Sequence, residues 1–113
     1  MPDRIGSYAQ FWPYYVSQHR DVTCRRLHVV GTTLVIGALA LAVATRSPWW
    51  ALAAPLFGYG PAWIGHFVFE HNRPATFDYL WWSLRGDFHM VWCTLTGQMA
   101  HELERAERAY PAS

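Results

Sequence analysis

The chain contains no lysine: all nine of its cationic side chains are arginine, set against eight carboxylates. A formal net charge of +1 without a clustered basic face lacks the electrostatic footprint of nucleic-acid binders, so no nucleic-acid partner is expected. Charge of either sign is scarce, at 15% of residues against about 25% in ordinary soluble domains. Two cysteines, Cys24 and Cys93, stand far apart without CxxC spacing. No disulfide framework is therefore expected, and both are read as reduced. The common catalytic signatures GxSxG, GxGxxG, the Walker loop and HExxH are missing, which removes their hydrolase, dinucleotide, nucleotide and zincin readings. The first seventeen residues have no charged start followed by a continuous apolar run, so a cleaved leader is not expected.

What remains is apolar and aromatic: 52% of the 113 residues are hydrophobic and seven are Trp. That length predicts a single domain, with a core over residues 8–98 and a charged tail over 99–113. Tyr8, Phe11, Trp12, Tyr15 and Val16 recur at helical spacing, interrupted by Pro13, which predicts a kink or a helix restarting there. Asp21 and Thr23 are N-cap candidates for a second helix running through the uncharged stretch 29–45. Those 17 residues span about 25 Å as a helix, the short edge of a bilayer crossing. After the polar break Arg46-Ser47-Pro48, a second apolar run reaches Phe69, broken by Pro55, Gly58, Gly60 and Pro61.

The two runs predict an all-α bundle built on an apolar, transmembrane hairpin with flanking amphipathic helices. Trp49 and Trp50 at its tip suit a membrane interface. Arginines 4, 20, 25 and 26 before it and Arg73 and Arg85 after it leave only Arg46 at the tip, so a multi-pass topology with both termini cytoplasmic is expected, in a bacterial inner membrane. The competing expectation is a soluble or peripheral bundle, which a mean hydropathy near zero favours. Beyond Asn72-Arg73-Pro74, one or two amphipathic helices are expected around a break at Gly86, ending in a solvated segment, HELERAERA.

Polar residues at the ends of these apolar runs carry the chemistry. His66 and Glu70, four apart, share a helix face within reach of one metal ion, while Gly65 lets another helix come close. The structural alternative pairs Glu70 with Arg73 or Arg85 and His66 with a backbone carbonyl. His19 and His28, nine apart, point in opposite directions on one continuous helix and converge only if the chain turns at Asp21 to Thr23. His89 is a possible fourth nitrogen ligand, and His71 and Cys24 are possible additional ligands or supporting residues. Imidazoles with one carboxylate suit non-haem Fe(II), zinc and other transition metals. Six histidines exclude the eight-histidine di-iron set of membrane fatty-acid hydroxylases and desaturases.

The strings FWPYYVSQHRDVTCRRLH and WIGHFVFEHNRPATFDYLWWSL resemble the Mpo-like family, small α-helical membrane proteins whose fungal member is the 2-hydroxy fatty acid dioxygenase of phytosphingosine breakdown. The resemblance covers about residues 8–92 and rests on His19, His28, Gly65-His66, Phe69-Glu70 and Arg73-Pro74-Ala75. The chain departs from the fungal pattern at Arg20, which replaces a second consecutive histidine, and at Cys24, which replaces asparagine. The resemblance implies an Fe(II)-dependent dioxygenase of lipid metabolism that shortens 2-hydroxy fatty acids by one carbon, the α-oxidation of fatty acids. It implies His19, His28 and His66 as iron ligands, and Glu70 is expected as the catalytic proton acceptor. O2, the 2-hydroxy fatty acid and membrane lipid are the expected partners, with a homo-oligomer also considered. The alternatives are a non-enzymatic membrane scaffold and a zinc- or haem-binding protein.

Overall fold

A computed structural model describes residues 4–111, and among them every regular element is helical. Helices α1 (Tyr8–Ser17), α2 (Val22–Thr45) and α3 (Pro48–Ile64) are followed by a π-helical turn (Gly65–Glu70), a short 3-10 turn (Ala75–Phe77), α4 (Leu80–Leu95) and α5 (Met99–Ala109). The chain divides into two compact units, one formed by residues 21–72 and the other by residues up to 20 together with those from 73 onward.

The unit of residues 21–72 is the apolar hairpin. Asp21 caps α2 by accepting the Cys24 amide at 2.9 Å, as expected of a short acidic side chain at a helix start. Arg46, in the left-handed region with φ 55°, ends it, and Pro48 starts α3 where its missing N–H costs nothing. Pro55 and Pro61 lie inside α3 without ending it. Pro61 cannot donate to the Phe57 carbonyl one turn earlier, and α2 packs close to that group. A Cβ on Gly31 would lie 2.9 Å from the Gly58 carbonyl oxygen and 3.2 Å from that of Phe57, so only glycine permits this approach. Of the described helices only α2 is long and apolar enough to cross a membrane. Its outward residues Val30, Leu34, Ile36, Leu39 and Val43 are exposed, as are Trp49, Leu52 and Leu56 of α3.

The other unit has a conventional aromatic core of Phe11, Trp12, Tyr15, Val16, Met90, Cys93, Met99 and Ala106. α1 passes through Pro13 unbroken, neither stopping nor restarting; four buried residues on its inner face, Phe11, Trp12, Tyr15 and Val16, hold it against the lost amide bond. Gly86 does not break α4. It sits mid-helix because a Cβ there would meet the Tyr15 ring at 3.0 Å. The break comes at Gly97, with φ 75°, so two helices form as expected but divide eleven residues later. α5 is not a wholly solvated end: Met99, Glu102 and Ala106 are buried along one stripe.

Candidate metal centre

His28 lies on the second turn of α2, and His66 on the π-helical turn that continues α3. Both are buried, with ring centroids 4.8 Å apart and planes nearly perpendicular at 89°. Close packing brings the two backbones together here: a Cβ on Gly65 would lie 2.9 Å from Cys24 Sγ and 3.1 Å from Cys24 Cα. Wide π turns recur at functional sites because the extra residue re-aims side chains. Here the turn closes with His71 in the left-handed region, φ 59°, and returns the chain toward His66.

That return supplies a residue the sequence did not single out. Asn72 presents Oδ1 2.7 Å from His66 Nδ1. An amide oxygen only accepts, so Nδ1 carries the proton and Nε2 carries the lone pair. His28 follows the same rule with a different partner, its Nδ1 lying 2.9 Å from the Cys24 carbonyl oxygen one turn back. Cys24 Sγ is also near this nitrogen, at 3.7 Å, and the thiol is fully buried.

His19, in the other unit, follows the end of α1 and is 1% exposed. Its Nδ1 meets the Tyr15 carbonyl oxygen at 2.5 Å, and its ring stacks on that of Tyr15 with centroids 4.1 Å apart. Tyr15 in turn donates its hydroxyl to Asp87 Oδ1. Asp87 is only partly buried as a residue, but desolvation of its carboxyl group raises its pKa to about 7, against the lowering effect of the Tyr15 bond. The turn needed between His19 and His28 is present, with α2 beginning after its Asp21 cap.

Glu70 ends the π-helical turn and accepts the backbone N–H of Asp21. The expected alternatives for it take other partners: Arg73 pairs with Asp78 at 3.4 Å, and Arg85 lies over the Tyr8 ring at 3.9 Å. His71 is exposed at the turn. His89 stands with Cys93 and Glu102, the ligand atoms of the three lying within 4.8 Å of one another. No spacing rule announces Asn72, whose position depends on the π turn and the left-handed residue before it.

Over residues 5–99 the chain matches the family described as 2-hydroxy-palmitic acid dioxygenase Mpo1-like. It belongs to that family. The matched span contains His19, His28, His66, Glu70 and Asn72. No curated protein and no solved structure matches the chain. The family's description names a dioxygenase acting on a 2-hydroxy fatty acid, a chemistry for which buried imidazole nitrogens are a suitable donor set.

Proposed function

We propose that this chain is a membrane-associated, Fe(II)-dependent dioxygenase that shortens 2-hydroxy fatty acids by one carbon, with His19, His28 and His66 holding the metal. One observation carries this reading. All three histidines are buried, and each turns Nδ1 to an oxygen, that of Tyr15, Cys24 or Asn72 respectively. The same tautomer follows in each, with Nε2 as the ligating nitrogen. This is the arrangement in which a hydrogen bond to the distal ring nitrogen fixes the ligand's orientation and raises its basicity.

Chain connectivity supports the inclusion of His19. Only Arg20 separates it from Asp21, so its Cα stays within about 7.6 Å of the Asp21 Cα. Glu70, four residues beyond His66, holds the Asp21 amide.

His19, His28 and His66 would hold the iron as three imidazole donors, a set suited to non-haem iron. Iron, when bound, supplies the O2 and redox chemistry. The protein's tasks are to hold the metal ligands, exclude water, seat the acyl chain against apolar walls and accept the proton of the substrate hydroxyl. Glu70 is assigned the last task; a carboxylate accepts several hydrogen bonds at once, so its bond to Asp21 is compatible with it. The overall conversion balances as 2-hydroxy acid plus O2 giving the acid one carbon shorter, CO2 and water.

Residence at a membrane is part of the proposal. The exposed apolar side chains of α2 and α3 form a surface that lipid satisfies better than water, and an acyl substrate would arrive from that phase. The direct test incubates iron-loaded protein in lipid nanodiscs with a 2-hydroxy fatty acid and follows O2 uptake and product mass. Equimolar O2 consumption and shortened acid support the reading. Retained metal without O2 uptake supports a zinc- or haem-binding protein instead, and no metal at all supports a scaffold.

A further inference from the structure

Glu102 is an acidic residue in a segment whose composition reads as solvated, yet it is 8% exposed. Both oxygens of its carboxylate are bonded. Trp12 Nε1 donates to Oε1 at 3.2 Å, and Arg105 Nη1 donates to Oε1 at 3.1 Å and to Oε2 at 2.8 Å. Facing the same carboxylate are His89 and the buried thiol of Cys93, one turn apart on α4, and the three ligand atoms lie within 4.8 Å of one another.

We propose that His89, Cys93 and Glu102 form a second metal site, of the nitrogen, thiolate and carboxylate kind that takes zinc. Three features of the surroundings fit a ligand set. The His89 ring is fixed by stacking on Trp12, with centroids 3.6 Å apart and an angle of 17°. Its Nδ1 lies 2.9 Å from the Tyr8 hydroxyl, which holds that nitrogen and leaves Nε2 as the metal-facing atom. Trp12, from α1, touches both His89 and Glu102, so the partners that orient two ligands come from one side chain. Spacing agrees: residues 89 and 93 share a face of α4, and the Gly97 turn brings α5 back to place Glu102 opposite them.

The donor set decides the class of ion. Thiolate disfavours Mg²⁺ and Ca²⁺, which take oxygen ligands, and a mixed N, S, O set suits zinc at tetrahedral geometry with a fourth position for water. Glutamate and thiolate together neutralise a divalent charge, and Arg105, bonded to both carboxylate oxygens, shares Glu102 with the ion. The site ties α4 to α5, with α1 supplying its supporting residues. Its role is to fasten the C-terminal helix to the rest of its unit, independently of the iron centre.

Cobalt(II) is the probe, because a thiolate ligand gives it a near-ultraviolet charge-transfer band that an all-histidine site cannot give. Metal-free, full-length, reduced protein in detergent is titrated with Co²⁺ and then with Zn²⁺. The thiolate band should appear with wild type, persist in Cys24→Ser and in His28→Ala/His66→Ala, bleach on zinc addition and vanish in Cys93→Ser. Loss even of a partner that only orients a ligand costs about 10–100-fold in metal affinity, so Glu102→Gln, which removes the charge of a ligand and keeps an oxygen for the Trp12 contact, should weaken Co²⁺ at least tenfold. Wild type without a thiolate band, or a band that survives Cys93→Ser, overturns the proposal whatever the fate of the iron centre.

Discussion

His66 and Asn72 are joined by a 2.7 Å hydrogen bond that spans six residues and a left-handed turn at His71. The bond fixes the tautomer of a buried imidazole. Asn72→Ala should therefore leave the fold in place and lower iron affinity by about 10–100-fold, whereas Asn72→Asp, which preserves the acceptor, should retain most of it. Anaerobic iron titration of the two variants checks this. Equal affinity in Asn72→Ala and wild type would contradict the orienting role given to this bond.

The close contact between α2 and the π-helical turn sets the distance between His28 and His66. A methyl group on Gly65 must displace Cys24, by backbone as well as side chain, so Gly65→Ala should destabilise the protein by about 1–3 kcal/mol. Gly37 of the same hairpin has nothing within 4 Å of where a Cβ would lie. Gly37→Ala should therefore stabilise by about 0.5–1 kcal/mol through helix propensity alone. Denaturant unfolding in mild detergent should give opposite signs for the two substitutions, and the same sign would refute the packing described here.

Tyr15 links two features of its unit. Its ring occupies the space a side chain at position 86 would need, and its hydroxyl donates to Asp87. Tyr15→Phe keeps the ring and removes the donor, so it should cost about 1–3 kcal/mol by leaving Asp87 without that bond. Gly86→Ala acts on the ring alone, and the crowded stack of Tyr15 with Trp12 and His19 leaves it little room to shift. A comparable loss is expected. Thermal unfolding of both variants measures it, and wild-type stability in Gly86→Ala would show that the ring moves freely.

Leu34 lies near the middle of α2 and is 46% exposed. In a water-soluble protein Leu34→Arg would be harmless or helpful. In a bilayer an arginine at a helix centre costs about 2.5–3.5 kcal/mol, so membrane insertion should fall sharply. Vesicle flotation of wild type and variant separates the two cases: equal flotation of both would remove the membrane assignment of α2.

The parts of the site legible in the sequence are those governed by local rules. Asp21 reads as a cap because a short acidic side chain before an apolar periodic segment has few other uses, and the turn it marks is present between His19 and His28. Gly65 reads correctly as a point of close approach, since its neighbours along the chain are all large. Three features stayed hidden for a common reason: each depends on tertiary packing. Gly86 resembles a helix break until the Tyr15 ring is seen filling its space. Glu102 resembles a solvated charge until Trp12 and Arg105 are placed around it. Asn72 resembles a helix terminator, and its contact with His66 follows from a change of helical pitch that no periodicity within six residues displays.

The central claim is that His19, His28 and His66 hold iron, and metal content tests it most directly. Protein purified without oxygen should contain stoichiometric iron, retain it in Cys93→Ser, and lose it in His28→Ala/His66→Ala with the helical circular dichroism unchanged. Absence of iron from the wild type after anaerobic loading, or full iron content in the double variant, would contradict the account.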